Sequence, residues 1–179
     1  MIRDIQEVLF DEAKLDQIVS RLGAQITEDY RGKDLLLVGI LKGANVFMAD
    51  LMRKIDLHVQ LDFMAVSSYG MSTESSGVVR ILKDLDHGVE NKHVLIIEDI
   101  VDSGLTLHYL MDYLEARGAL SIAACTLLDK PDRRKVDVAI NYVGSPIPDV
   151  FIVGYGIDYA EKYRNLPYIA SLKPEVYTK

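Results

Sequence analysis

The chain has 179 residues, which fits one domain with a sizeable core, and its 49% apolar and 26% charged content argues against extended disorder. A formal net charge of −7 argues against broad nucleic-acid or membrane-surface binding, so an anionic ligand would have to be held by local groups and metal ions. The single cysteine, Cys125, excludes an internal disulfide framework. It lies in an apolar run, where a buried small hydrophobe is preferred over a catalytic thiol. With no signal-type h-region and no apolar span of about 18 residues, a soluble cytoplasmic protein is expected.

In chain order, Asp11 is a candidate N-cap for an amphipathic helix over residues 11–30, with Leu15, Ile18, Val19, Leu22 and Ile26 at helical spacing. Residues 35–41 predict a buried strand, ending at Lys42-Gly43 before a second helical pattern. Leu57, Val59, Leu61, Phe63 and Ala65 alternate with more polar neighbours, predicting a strand with one exposed face. Residues 67–77 are rich in Ser, Thr and Gly without periodicity, which suits a lid loop. Residues 78–82 predict a short strand folded back as a hairpin. Leu107, Leu110, Met111 and Leu114 make a third helix, ended by Gly118. A strand follows over residues 122–128. The basic run Arg133-Arg134-Lys135 suits a solvated face. Residues 151–155 predict another strand, and residues 168–172 a closing edge strand or cap. The alternation implies one α/β domain across residues 1–179, with ligand groups at the carboxyl ends of parallel strands.

Residues 94–106 carry the most chemistry. Val94-Leu95-Ile96-Ile97 predicts a strand buried on both faces of a parallel sheet, and it runs into Glu98-Asp99. Asp102-Ser103-Gly104-Leu105-Thr106 then forms a turn entering a helix, whose free N–H groups and dipole favour a phosphate. Acids beside a phosphate nest make sense when the ligand also carries sugar hydroxyls or metal ions. A ribose phosphate meets that description. Rival motifs are weak: no P-loop pattern occurs, Gly154-Tyr155-Gly156 lacks the third glycine of a dinucleotide fingerprint, and His58, His87, His93 and His108 show no zinc spacing.

The run from Glu98 to Thr106 resembles the phosphoribosyl-diphosphate signature of the type I phosphoribosyltransferases. The likeness extends through Leu41-Lys42-Gly43, Ser68-Tyr69, Leu128-Asp129-Lys130, the segment from Phe151 to Tyr159, and Arg164. It is most similar to the bacterial branch that uses hypoxanthine and guanine. The resemblance implies a mainly parallel twisted sheet flanked by helices, with a small hood and a flexible lid loop. It also implies transfer of a phosphoribosyl group to a 6-oxopurine, release of diphosphate, a Mg²⁺ requirement and a homodimer or homotetramer.

It further implies roles for individual residues. Ser103, Gly104, Leu105 and Thr106 hold the 5′-phosphate; Leu105 stands where some relatives carry a basic residue. Glu98 and Asp99 engage the ribose hydroxyls and Mg²⁺, and Asp158 faces a second Mg²⁺. Lys42, Gly43 and Arg164 bind diphosphate, with a non-proline cis peptide expected just before Gly43. Phe151 and Ile157 sandwich the purine, Lys130 donates to its O6, and the Ile152 backbone meets the ring edge. Asp102 is the acid/base at N7, and Ser68-Tyr69 close over the site with the lid. The same residues leave room for a xanthine- or guanine-preferring transferase, or for a nucleic-acid-binding regulator that keeps the fold.

Overall fold

The computed structural model describes residues 1–68 and 79–178. Its main sheet has six strands in the order β4-β3-β2-β5-β6-β7. These are β2 (Leu35–Leu41), β3 (Val59–Ser68), β4 (Val79–Lys83), β5 (His93–Val101), β6 (Ser121–Asp129) and β7 (Tyr142–Pro146). All neighbours are parallel except β4, which folds back antiparallel on β3. A second, antiparallel sheet joins the two ends of the chain in the order β1-β9-β8, from Ile5–Phe10, Ile169–Leu172 and Ile152–Val153. It forms the hood.

Three main helices cover the large sheet: α1 (Glu12–Asp29), α2 (Asn45–Met52) and α3 (Leu105–Glu115); a short α4 (Pro174–Tyr177) ends the chain. The expected cap of α1 is present: Asp11 Oδ1 accepts from the Lys14 amide at 2.8 Å. Its buried stripe is the expected one, Leu15, Ile18, Val19, Leu22 and Ile26. Strand alternation divides the core. Leu35, Leu37, Leu95, Ile97 and Cys125 face α1 and α2, whereas Leu36, Val38, Val94, Ile96 and Ala124 face the α3 side. Each such Leu, Ile or Val side chain stabilises the fold by about 1.5–3 kcal/mol when fully buried. Cys125 is fully buried, as expected of a small hydrophobe, and burial pushes its thiol well up.

Several expectations need correction. The small strands β1 and β7 carry too little periodicity to stand out in sequence. β8 has two residues rather than five, because the chain turns at Gly154 and Gly156, both at positive φ. Residues 169–172 do not close the main sheet; they form the central strand of the hood. The alternation in β3 misleads as well, since Leu61 is exposed while Asp62 and Met64 are buried. Asp62 is satisfied there by the amides of Phe63 and Asp86, at 2.7 and 2.9 Å. Of the expected lid, Ser67 and Ser68 belong to β3, and the remainder, Tyr69 included, lies outside the described residues.

Candidate active site

Strand order reverses between β2 and β5: the chain leaves β2 for β3 on one side and returns with β5 on the other. In open α/β sheets that reversal opens a crevice beyond the carboxyl ends of the strands. Lys42-Gly43 leaves β2 there, and residues 98–106 leave β5 beside it. The non-proline cis peptide is present, one bond earlier than expected, between Leu41 and Lys42.

Glu98 and Asp99 still belong to β5, which runs two residues beyond them. Burial raises the Glu98 carboxyl well above the ordinary range, and the neighbouring Asp99 charge adds to the effect. Burial also pushes Asp99 up to about 6, although its contact with the Ile100 amide (2.7 Å) and the Arg164 charge oppose the shift. Gly43 is required by close approach. A Cβ there would collide with the Asp99 carboxylate, and a Cβ on Gly156 would strike the Gly43 carbonyl. These contacts bring β2, β5 and the hood together.

The turn beyond β5 has the predicted form. Gly104 adopts φ +82° and precedes the first residue of α3, leaving the first-turn amides free of intrahelical partners. Ser103 Oγ accepts weakly from the Leu105 amide at 3.4 Å. A cavity of about 220 Å³ is lined by Glu98, Asp102, Ser103, Gly104 and Thr106. A larger cleft of about 670 Å³ lies between α1, α2 and residues 164–167; of the expected site residues it reaches only Arg164. Glu98, Asp102 and the N-terminus of α3 converge on the smaller cavity.

The hood supplies another group of residues. Arg164 donates to the Gly156 carbonyl at 2.8 Å and pairs with Asp158 at 2.8 Å. Asp158 Oδ2 accepts from the Glu161 amide at 2.9 Å. Lys42 pairs with Glu161 at 3.0 Å across the crevice and keeps a largely exposed side chain. Arg164 Nε is buried and lacks a partner among the described residues.

Lys130 directly follows β6 and is only 8% exposed. Its ammonium donates to the Val150 carbonyl at 2.9 Å and meets Asp149 at 3.3 Å. Phe151 is 38% exposed, stacked on Tyr177 with ring centroids 4.7 Å apart and edge-on to Tyr159 at 5.3 Å. Ile152 and Ile157 are buried in the α1-side core, so the rings beside Phe151 are Tyr159 and Tyr177. Sequence reasoning missed both tyrosines.

The expected solvated face holds for Arg133 and Lys135, which are exposed, but the two arginines of the run also pair with acids. Arg133 Nε lies 2.7 Å from Asp102 Oδ1, and its Nη1 reaches both Asp149 oxygens at 3.1 and 3.2 Å. Arg134 pairs with Asp129 and donates to the Asp102 carbonyl at 2.8 Å. Two arginines just after Lys130, in a chain rich in site acids, were the available signal. The 3-10 turn at Pro131–Arg133 aims them back at β5.

The donor set suits a hard cation. Glu98 is buried and Asp99 partly buried, desolvation disfavours the charge of both, and both offer oxygen ligands. No group of three or more metal-ligating side chains occurs among the described residues. Magnesium accepts that pattern, because it commonly takes one or two carboxylates and completes its shell with water and substrate phosphates.

A parallel-sheet domain with a phosphate turn, paired acids and a hood over a switch-point crevice defines a phosphoribosyltransferase-type site. Residues 6–160 match the Phosphoribosyl transferase domain, and the chain belongs to that family. It is 56% identical over 178 residues to the hypoxanthine-guanine phosphoribosyltransferase of Staphylococcus aureus, covering 99% of each chain. The crystal structure of a hypoxanthine phosphoribosyltransferase from Staphylococcus aureus is similar to it with a TM-score of 0.97 at 55% identity, covering 100% of this chain and 97% of that one. A Bacillus anthracis hypoxanthine-guanine phosphoribosyltransferase, solved with a HEPES molecule in its active site, aligns with a TM-score of 0.91 at 51% identity, covering 94% and 99%. No helix among the described residues is long and apolar enough to cross a membrane.

Proposed function

We propose that the protein is a purine-salvage enzyme that transfers the phosphoribosyl group of phosphoribosyl diphosphate to hypoxanthine or guanine. The bond from ribose C1 to diphosphate breaks and a bond from C1 to a base nitrogen forms. The products are IMP or GMP, diphosphate and the proton lost by the base. The observation that carries this reading is the junction of paired acids and a helix-entry phosphate turn at the switch point, with Lys130 on the adjacent strand end.

Each residue has a role in that chemistry. Ser103, Gly104, Leu105 and Thr106 hold the 5′-phosphate with hydroxyls and first-turn amides. Glu98 and Asp99 orient the ribose hydroxyls, and their negative charge favours the positive charge that develops on the sugar. Lys42, Gly43 and Arg164 receive the diphosphate, for which the unpaired Arg164 Nε is available. Lys130 donates to O6, Phe151 packs against the ring with Ile157 on the opposite side, and the Ile152 backbone meets its edge. Asp102 takes or returns the proton at N7. Ser68 and Tyr69 close the lid and exclude water. Glu98, Asp99 and Asp158 would hold Mg²⁺, directly or through water and substrate. That ion neutralises diphosphate as leaving group. The assembly expected is a cytoplasmic homodimer or homotetramer, checked by light scattering.

The test is diphosphate release from the protein mixed with Mg²⁺, phosphoribosyl diphosphate and hypoxanthine, with guanine and xanthine as competing bases. Release with hypoxanthine supports the assignment, faster release with xanthine replaces it with a xanthine-preferring enzyme, and no release with any base overturns it.

A further inference from the structure

We infer that Arg133 and Asp149 are positioning residues that hold the Asp102 carboxylate and the Lys130 ammonium in a fixed relation. The inference deepens the function just proposed and rests on it. Four side chains form one line of charge. Lys130 Nζ meets Asp149 at 3.3 Å, Asp149 meets Arg133 Nη1 at 3.1 Å, and Arg133 Nε meets Asp102 Oδ1 at 2.7 Å. They come from separate segments: the end of β5, the end of β6 with its 3-10 turn, and the loop before β8.

O6 and N7 occupy neighbouring positions on one rigid bicyclic base, so the two groups that address them must keep a fixed separation. A guanidinium suits that task. Its nitrogens lie in a planar, rigid fork, so contacts through Nε and Nη1 let one side chain meet two carboxylates at a set spacing, which the flexible point charge of a lysine ammonium holds less well. The Asp102 backbone is anchored separately by Arg134, through its 2.8 Å bond to the Asp102 carbonyl. Among the described residues Arg133 is the only cation within ion-pair distance of the Asp102 carboxylate, and that contact acts through charge, since Oδ1 receives no directed hydrogen bond. Without Arg133 the carboxylate is free to rotate, and small misplacements of reacting groups can cost up to about 10²-fold in rate.

The experiment measures steady-state kinetics of wild type, Arg133→Ala, Arg133→Gln, Arg133→Lys, Asp149→Asn, Asp102→Asn, and Arg133→Ala combined with Asp102→Asn. Arg133→Ala and Arg133→Gln should lower kcat with hypoxanthine about tenfold or more while the KM for phosphoribosyl diphosphate stays within about twofold. Arg133→Lys keeps the charge without the fork and should fall between. Asp149→Asn should raise the hypoxanthine KM as well as lower kcat, since it also releases Lys130. The decisive readout is the double variant. If Arg133 acts through Asp102, its removal costs nothing further once Asp102 is Asn; full additivity overturns the inference. A kcat in Arg133→Ala equal to or above wild type also overturns it, and marks Arg133 as an obstacle that the base displaces. Should Arg133→Ala fail to fold, the glutamine variant carries the same comparison. An active wild type with unaffected variants removes this inference alone, whereas an inactive wild type removes the proposed function and the inference with it.

Discussion

At the scale of single residues, Asp102 and Lys130 differ in how their environment restrains them. Asp102 is partly exposed and held by Arg133, so its carboxylate can meet a base that enters from solvent. Asp102→Asn keeps size and shape but removes the basic oxygen. Turnover should fall at least about tenfold with an unchanged circular dichroism spectrum, because general acid–base help is worth about 10²–10⁴ in rate. Near-normal turnover would end its proton-handling role. Lys130 is almost fully buried, with its ammonium satisfied by Val150 and Asp149. Lys130→Ala should raise the KM for hypoxanthine strongly and leave that for phosphoribosyl diphosphate nearly unchanged. Equal effects on both would move Lys130 out of the base site. The acids of this site were legible from their order behind an apolar strand. The roles of Arg133 and Asp149 were not, because an ion pair between segments 31 positions apart leaves no local pattern.

At the scale of elements, the entry to α3 is the most constrained point. Gly104 combines φ +82° with a tight fit, since a Cβ would lie 2.9 Å from Arg134 Cδ and 3.0 Å from Val138 Cγ1. A left-handed backbone alone costs a residue with a Cβ about 1–2 kcal/mol. Gly104→Ala should therefore lower the melting temperature and raise the KM for phosphoribosyl diphosphate, whereas a stability loss with unchanged KM would separate the turn from phosphate binding. Near the end of α3, Tyr113 donates to Asp84 at 2.6 Å, and Arg117 just beyond the helix pairs with it at 2.7 Å, tying this end of the helix to the loop after β4. Burial pushes the Asp84 carboxyl up, but Tyr113, the Leu85 amide and Arg117 outweigh it and hold the carboxyl below its ordinary value of 3.8. A depressed folded-state value gives stability that is complete above the ordinary value and lost as pH falls through the folded one. The melting deficit of Asp84→Asn should be largest near neutral pH and narrow in acid; a deficit independent of pH would assign it to lost packing.

At the scale of the whole molecule, the site lies between two bodies of structure, the large sheet and the hood. Gly43 packs against Gly156 and Lys42 pairs with Glu161, so diphosphate would touch both at once. A ligand that binds only the folded state stabilises it by mass action, about 2.7 kcal/mol at a hundredfold excess over Kd. For a domain of this size that corresponds to a rise of roughly 5–10 °C in melting temperature. Phosphoribosyl diphosphate with Mg²⁺ should produce such a shift, and chelation of the metal should abolish most of it. A shift that survives chelation would show that side chains alone hold the diphosphate.

By itself the sequence determined what depends on neighbours along the chain. Residues 35–41 alternate between two core faces, Asp11 caps α1, and Gly104 follows Ser103 at a helix entry; hydrophobic period, capping chemistry and backbone sterics act over a few residues. The acids of residues 98–102 were likewise legible because their spacing is local. Tertiary structure alone decided that residues 5–10 pair with 169–172 as a hood, since two short strands at opposite ends gain their stability only from each other. It also decided that Arg133, half exposed as it is, pairs with Asp102. That contact exists because the parallel sheet sets the ends of β5 and β6 side by side, and charge attraction at about 3 Å becomes strong only after the fold has brought the groups there.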